Sequence, residues 1–275
     1  MTKLLRKNRL AAIGLILTAG WILVAAFAPW IAPMPADQQN LEIRLQPPSA
    51  QHLLGTDDVG RDILSRIIHG SRISLTIALS SVAIGMTGGI TLGAIAGFYG
   101  GRVDLFLSRL VDMLMTIPTI VLAIAVVSVL KSGVTSVIIA VGITSIPVYA
   151  RLVRGVVLTL RRLDYVEAAH GIGASDWRII TRHLLPNALS PLAVQATLGA
   201  GTAILVAAAL SFLGLGVQPP APEWGAMLSR GRNYINAAPH AIAFPGLAIA
   251  LMVLAFNLLG DGLRDALDPR LRRLM

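Results

Sequence analysis

The chain has no cysteine and only three lysines among its 275 residues. Without cysteine it has no disulfide and no thiolate metal site. Charged residues make up 13% of the sequence and hydrophobic residues 55%, whereas a typical soluble domain is about 25% charged. The mean hydropathy is +0.73. The shortage of charge predicts a membrane protein, and the long apolar runs described below predict that it is all-α with several transmembrane helices.

Sequence motifs for nucleotide hydrolysis and for common hydrolases are also absent. A phosphate-binding loop needs the pattern G-x-x-x-x-G-K-[ST]. Lys131 precedes Ser132, but Ala125 and Leu130 occupy the two glycine positions. The sequence contains no Gly-x-Ser-x-Gly nucleophile elbow and no His-Glu-x-x-His zinc helix. We therefore expect no catalytic residue and no cofactor bound by this chain.

Six apolar runs are long enough to be transmembrane helices, and all the following assignments depend on them. They cover residues 10–30, 73–98, 113–130, 134–149, 192–213 and 241–259. The third and fourth runs are only three residues apart, which predicts a tight helical hairpin. The first run, with its basic flank, is also typical of a cleavable signal peptide. Its long apolar core and the position of Pro29 favour an uncleaved first span.

Lysine and arginine lie at the edges of these runs rather than in one patch. The formal net charge of +9 therefore does not indicate a nucleic-acid partner. If the N-terminus is cytoplasmic, the inner segments hold more than twice as many Lys and Arg residues as the outer ones. The positive-inside rule then predicts that both termini are cytoplasmic.

The span interiors are nearly free of ionisable residues, which argues against a transporter coupled to protons or ions. Glycines recur every fourth residue in the second run, so they form a stripe along one helix face. Such a stripe lets two helix backbones approach closely in the membrane. The stripe predicts helix packing within the chain, or contact with a second subunit or a moving helix. Its glycines are Gly85, Gly89, Gly93 and Gly97, followed by Gly101.

The segment before the second run predicts a short separate helix over 59–68, capped by Thr56, Asp57 or Asp58. A second short surface helix is expected over 223–230, after a proline-rich stretch. Several residues of the first segment are metal-ligand types, but they lack any known ligand spacing. We interpret these as capping and solvated residues, so we expect no metal site. They are His52, Asp57, Asp58, Asp62 and His69.

A polar segment separates the fourth and fifth runs. It predicts a short helix over 164–170, a turn at Gly171 and Gly173, and a second helix with Ser175 as its N-cap. The second helix is expected to place Trp177, Ile180 and Leu184 on one face and to end at Pro186. Periodic apolar residues have no use in a solvated loop. The pattern therefore indicates a docking element for a cytoplasmic partner.

The same segment resembles the EAA loop of ABC importer permeases. The resemblance rests on Glu-Ala-Ala, on a glycine six residues after the glutamate, and on Leu-Pro eighteen and nineteen residues after it. The matching residues are Glu167, Ala168, Ala169, Gly173, Leu185 and Pro186, with Gly171 in the turn and His183 where the family often has an aliphatic residue. Histidine there is similar to the peptide-transporter branch. The stretches LLGTDDVGRDILSRIIHGSRISL and SFLGLGVQPPAPEWGAML also look like the C-type permeases of dipeptide, oligopeptide and nickel importers.

This resemblance implies a type I importer permease fold with six transmembrane helices in the bacterial inner membrane. It implies residues 1–72 as the first span with an outer loop, 73–260 as the permease core with the coupling loop 151–190, and 261–275 as a cytoplasmic tail. It also implies four partners: a homologous second permease, two cytoplasmic ATPases and a solute-binding protein. ATP and Mg²⁺ would then be used by the ATPases. The alternative is a stand-alone secondary transporter or channel.

Overall fold

The computed structural model describes residues 9–267. The basic residues expected before Arg9, and residues 268–275 of the expected tail, lie outside the described residues. The helices are α1 (Arg9–Ile31), α2 (Ile63–Tyr99), α3 (Gly101–Thr116), α4 (Thr119–Leu130), α5 (Val134–Leu160), α6 (Asp164–Gly171), α7 (Asp176–Ile179), α8 (Leu185–Phe212), α9 (Trp224–Gly231) and α10 (His240–Leu267). A π-helical turn, Ile180–Leu184, joins α7 to α8 without a break. Two short 3₁₀ turns lie at Leu41–Ile43 and Arg232–Tyr234.

Within residues 9–267, five continuous helices are long and apolar enough to cross a membrane, or six spans if one bent pair is counted. The bent pair is α3 and α4, whose axes differ by 93°. The third predicted span, 113–130, is therefore not one continuous helix, because it contains the end of α3 and all of α4. Ile117 is extended (φ −85°, ψ 126°) because the residue before Pro118 avoids the α conformation.

Helix α2 begins at Ile63 and continues for 37 residues. The separate helix predicted over 59–68 does not exist, and its second half forms the first turns of α2. Asp62 caps this helix, because its carboxylate accepts hydrogen bonds from the Ser65 backbone N–H at 2.8 Å and from the Ser65 hydroxyl at 2.7 Å. Asp57 instead accepts from the N–H groups of Val59 and Arg61, each at 3.0 Å, and so closes the preceding turn.

The glycine stripe of α2 lies directly against α5. A Cβ added at Gly89 would lie 2.4 Å from the Tyr149 Cβ and 2.8 Å from the Ala150 backbone nitrogen. At Gly93 the added Cβ would lie 2.4 Å from the Ala150 carbonyl oxygen. The two backbones therefore approach as closely as glycine allows. Gly101 is not part of the stripe, because α2 ends at Tyr99 and an added Cβ at Gly101 meets nothing within 4 Å.

Buried polar contacts join the connections at the predicted outer end of the bundle. The Arg66 guanidinium donates to the Ala36 carbonyl at 2.8 Å and to the Pro220 and Ala221 carbonyls at 3.4 Å each. The indole N–H of buried Trp224 donates to the Ile67 carbonyl at 3.0 Å. The contacts with Pro220, Ala221 and Trp224 fasten the first turns of α2 to residues more than 150 positions later in the sequence, and the contact with Ala36 fastens them to the connection after α1.

Four of the five residues considered as metal ligands are instead paired with one another or with arginines, and in one of these pairs Asp58 lies 3.4 Å from Arg230. The His52 imidazole lies 3.0 Å from the Asp62 carboxylate, and Arg61 donates to Asp57 at 2.7 Å. In the described part of the chain, no group of three His, Cys, Asp or Glu residues is arranged to hold a metal ion.

Helix α9 starts one residue later than predicted, with Glu223 as its N-cap. The buried Glu223 carboxylate accepts from the N–H groups of Gly225 at 2.9 Å and Ala226 at 2.8 Å. Only 2% of this residue is exposed, and burial raises its pKa above the ordinary value of 4.5. The two backbone hydrogen bonds act in the opposite direction but do not outweigh burial.

This raised pKa predicts a specific dependence of stability on pH. A folded-state pKa above the unfolded value means that the contribution is complete below about pH 4.5 and is lost as pH rises through the folded pKa. Glu223→Gln stays neutral and still accepts one N–H, so this part of the pH dependence should disappear. Thermal unfolding of both proteins in detergent between about pH 4 and 8 tests this, with the exposed Glu42→Gln as control. Parallel curves for wild type and Glu223→Gln would contradict the expectation.

Candidate functional site

The predicted docking element occupies residues 161–187, which we call the coupling segment. At its start, Arg161 fixes the end of α5 to the end of α2. Its guanidinium donates to the Gly97 carbonyl at 3.0 Å and to the Phe98 carbonyl at 3.2 Å. A cation is favourable there, because the last carbonyls of a helix carry a partial negative charge. These two bonds fasten the start of the coupling segment to the end of α2.

Helix α6 has one buried side and one exposed side. Val166 and Ala169 are buried, whereas Glu167 and Ala168 of the Glu-Ala-Ala motif are exposed. The His170 ring stacks on Phe98 of α2, with 5.9 Å between ring centroids. Glu167 therefore faces outward, where it is accessible to a partner.

The turn after α6 is a complete Schellman motif built around Gly173. The Ala174 N–H donates to the Ala169 carbonyl at 3.0 Å, and the Gly173 N–H donates to the His170 carbonyl at 2.9 Å. These are the two bonds that define the motif, and they require a left-handed residue at Gly173, whose φ is +80°. Gly173 therefore sets the angle between α6 and α7. Gly171, by contrast, is the last residue of α6 rather than part of the turn.

Pro186 does not end the second helix, although its sequence position predicts that it does. The chain remains helical from Asp176 to Phe212. A wide turn precedes the proline, and in it the Leu185 N–H donates to the Ile180 carbonyl, five residues earlier. Pro186 then sits in the first turn of α8, where its missing N–H is tolerated. The coupling segment is consequently continuous with the transmembrane helix α8.

Trp177 does not lie on the packing face, where the periodicity places it. Ile179, Ile180 and Leu184 are buried, whereas Trp177 is 74% exposed. Because each helical residue advances by about 100°, Trp177 lies well away from the direction shared by Ile179 and Ile180. Ile172, in the turn, is 87% exposed. Two large apolar side chains therefore project from the segment.

His183 and Leu185 are half-buried at the base of α8. The Asn187 side-chain amide donates to the His183 carbonyl at 2.8 Å, and the Tyr165 hydroxyl donates to the same oxygen at 3.4 Å. These bonds engage a carbonyl three residues before Pro186, and the bond from Tyr165 links α6 to the π-helical turn that precedes α8.

Two ion pairs in the same half of the bundle were not predicted. Arg154 of α5 forms a bidentate pair with Asp104 of α3, with N···O distances of 2.5 and 2.8 Å. Arg151 pairs with Asp112 at 2.9 Å. Sequence reasoning had counted both arginines only as inner-loop charge. The sequence does contain a signal for these pairs. Asp104 and Asp112 lie eight residues apart on α3, and Arg151 and Arg154 lie three residues apart on α5, so two acids can face two bases.

The helical bundle defines a multi-pass membrane protein in which a structured segment joins two of the membrane helices. Residues 89–273 match the family described as binding-protein-dependent transport system inner membrane component. Residues 1–48 match the N-terminal TM domain of oligopeptide transport permease C. The chain belongs to the first family: it is a non-catalytic permease subunit of an ABC importer and a multi-pass protein of the bacterial inner membrane.

Several relatives are about half identical to this chain. The dipeptide transport system permease protein DppC of Alkalihalophilus pseudofirmus is 50% identical over 98% of this chain and 89% of its own length. The glutathione transport system permease protein GsiD of Pectobacterium atrosepticum is 50% identical over 98% and 90%. The di/tripeptide transport system permease protein DppC of Pseudomonas aeruginosa is 49% identical over 96% and 89%.

Solved structures share the fold at low sequence identity. A chain of the MetNI methionine ABC transporter, in an inward-facing conformation, aligns with a TM-score of 0.61 at 20% identity. The alignment covers 74% of this chain and 96% of that chain. A chain of an amino acid ABC transporter aligns with a TM-score of 0.56 at 16% identity. The fold is therefore that of ABC importer permeases, which confirms the predicted fold class.

Proposed function

We propose that this chain forms half of the pore of an importer for short peptides. The substrate class is supported by the relatives, which are permeases for dipeptides, di/tripeptides and glutathione. We further propose that the other half is a homologous permease, and that two cytoplasmic ATPases and an extracytoplasmic solute-binding protein complete the transporter. Both termini and the coupling segment are then cytoplasmic, as the distribution of Lys and Arg indicates.

The observation that carries this proposal is the coupling segment itself. Its turn is fixed by two backbone hydrogen bonds, its start is fastened to α2 by Arg161, and its end continues into α8. A rigid element of this kind transmits a displacement of α6 to the two membrane helices α2 and α8. ATP-driven closure of the ATPases would in this way bias the pore between its inward and outward openings.

In this proposal each residue of the motif has a separate role. The small side chains of Ala168 and Ala169 allow close approach to α6. Gly173 sets the turn, and Leu185 and Pro186 begin α8. Glu167 faces the ATPase, and His183 supports the joint through its carbonyl. ATP and Mg²⁺ are held by the ATPases, because this chain lacks a phosphate-binding loop.

Reconstitution in proteoliposomes tests the proposal. Uptake of a labelled dipeptide should require this chain, the second permease, the ATPases with ATP and the binding protein together. Competition by unlabelled dipeptide, glutathione and a nickel chelate then ranks these substrates by how strongly each inhibits uptake of the labelled dipeptide. Uptake by this chain alone, without ATP, would overturn the proposal in favour of a secondary transporter or channel.

A further inference from the structure

Three buried polar atoms at the proposed outer end of the bundle have no hydrogen-bond partner among the described residues. They are Oδ1 of Asp58, Nη2 of Arg61 and Nε of Arg66. All three belong to residues that line one small cavity. Buried polar groups are almost always satisfied in native proteins, and an unsatisfied one is costly. The convergence of three such atoms on one cavity therefore points to a bound ligand.

The two arginines are fixed in place by their other nitrogen atoms. Arg61 donates from Nε to Asp57 at 2.7 Å, and Arg66 donates from Nη1 and Nη2 to carbonyl groups of two loops. Only 1% of Arg61 and 2% of Arg66 is exposed. Neither side chain can turn toward solvent without breaking these bonds, so the unpartnered N–H groups must be satisfied inside the cavity.

The distances between charged atoms around the cavity leave gaps. The Arg66 Nε lies 3.6 Å from Asp57 Oδ2, and the Arg61 Nη2 lies 3.8 Å from Asp58 Oδ1. Both separations are too long for a direct hydrogen bond. The Arg61 Nη2 also lies 2.7 Å from Asp57 Oδ2, but without the alignment that a hydrogen bond requires. A polar contact across more than about 3.5 Å is the geometry that a bridging water fills.

The types of the three unpartnered atoms decide which ligand fits. Arg61 and Arg66 each offer a hydrogen to donate, whereas the Asp58 carboxylate offers only lone pairs. An anion such as chloride would satisfy both arginines, but the carboxylate would repel it. A metal cation or an ammonium group would satisfy the carboxylate, but the two guanidinium groups would repel it. Water is neutral and both accepts and donates, so it satisfies all three atoms at once.

The cavity also has the size and the surroundings of a site for one water. It leaves about 10 Å³ for the centre of a water molecule, which is the low end of the roughly 10–15 Å³ that one water needs. Met227, Tyr234 and Ala241 are among the residues that form the rest of its wall. Buried waters in proteins make about three hydrogen bonds to groups that are otherwise unsatisfied, which is the number available here.

We propose that this cavity binds one ordered water molecule, which accepts hydrogen bonds from Arg61 Nη2 and Arg66 Nε and donates one to Asp58 Oδ1. The water joins the turn at residues 57–61 to the first turn of α2. Asp58 in turn pairs with Arg230 of α9 at 3.4 Å. The water thereby completes a continuous polar chain that runs from α2 through Asp58 to α9.

X-ray radiolytic footprinting of the full chain in nanodiscs tests this site, because hydroxyl radicals formed from a bound water oxidise the side chains beside it. Met227 lines the cavity and is 6% exposed, whereas the fully buried Met252 does not line it. In isotopically labelled water, Met227 should take up the label several-fold faster than Met252. Equal labelling of the two methionines would overturn the proposal.

Two variants separate the water from the ion pair. Asp58→Leu removes the acceptor and adds apolar bulk to the cavity wall, so labelling of Met227 should fall to the level of Met252. Its unfolding temperature should fall by about 5 °C, because two buried N–H groups stay unsatisfied. Arg230→Gln is the matched control, since it removes the same ion pair but keeps all three partners of the water. It should leave the labelling of Met227 as in wild type. Unchanged labelling in Asp58→Leu would contradict the site.

Two measurements on the wild-type protein do not depend on any variant. A cryo-EM map that shows ordered water should contain a peak within hydrogen-bond distance of all three atoms. Direct contacts among Asp58, Arg61 and Arg66, with no peak between them, would overturn the proposal. The unfolding temperature should be the same in chloride and in gluconate at equal ionic strength. A saturable rise with chloride would identify the occupant as an anion and would also overturn it.

Discussion

Gly173→Pro should abolish coupled uptake while leaving the protein inserted in the membrane. Proline fixes φ near −65°, whereas Gly173 has φ +80°. Proline also lacks the N–H that donates to the His170 carbonyl. The turn must therefore rebuild, and the angle between α6 and α7 changes. A left-handed conformation costs an ordinary residue about 1–2 kcal/mol, and proline cannot adopt it at all, so we expect uptake to fall at least about tenfold.

The measurement compares peptide uptake with ATP hydrolysis in the same proteoliposomes. ATP hydrolysis that continues while uptake is lost identifies uncoupling rather than failure to assemble. Gly173→Asn is the matched control, because asparagine tolerates the left-handed region and keeps its N–H. It should retain most of the uptake. Wild-type uptake in Gly173→Pro would show that the turn does not transmit the movement.

Gly89→Val should disrupt the packing of the whole bundle. The first side-chain atom would already lie 2.4 Å from the Tyr149 Cβ and 2.8 Å from the Ala150 backbone nitrogen, and backbone atoms cannot rotate away. Overpacking of this kind usually costs about 1–3 kcal/mol, and here we expect the upper end or more because α2 and α5 must separate. That is a large fraction of the stability of a typical domain.

Size-exclusion profiles and thermal unfolding in detergent measure this effect. Gly155→Val on α5 is the control, because an added Cβ there meets nothing within 4 Å and its φ is not positive. The control introduces the same β-branched residue into a transmembrane helix, so it accounts for the propensity cost. If the two variants unfolded at the same temperature, close approach of α2 and α5 would not be a source of stability.

The sequence predicted the features that depend on local composition. Apolar runs indicated the spans because a helix needs about 20 such residues to cross a membrane. Gly173 was identified as a turn because glycine is the residue that favours a left-handed C′ position. The helix at Trp224 was placed within one residue, since the proline-rich stretch before it and the acid at Glu223 mark a start.

The features that sequence missed depend on geometry between residues. Hydropathy averages over a window, so it did not register that Pro118 turns the third run through 93°. Pro186 was expected to end a helix, but the π-helical turn before it lets the helix continue although proline has no N–H to donate. Asp57 was a possible cap by type, but the Arg61 side chain and two backbone N–H groups engage it, which leaves Asp62 to cap α2. In each case the local structure depends on neighbouring groups that the hydropathy and residue-type patterns do not reveal.

The length of α2 has a mechanical consequence. Its 37 residues make a single rod about 55 Å long, well over the thickness of the hydrocarbon core. Arg66 clamps one end of the rod to two loops, and Arg161 clamps the other end to the coupling segment. Between these two ends the helix has no break. Because energetic coupling between two sites is reciprocal, any coupling that α2 carries between the proposed outer and inner faces acts with equal strength in both directions.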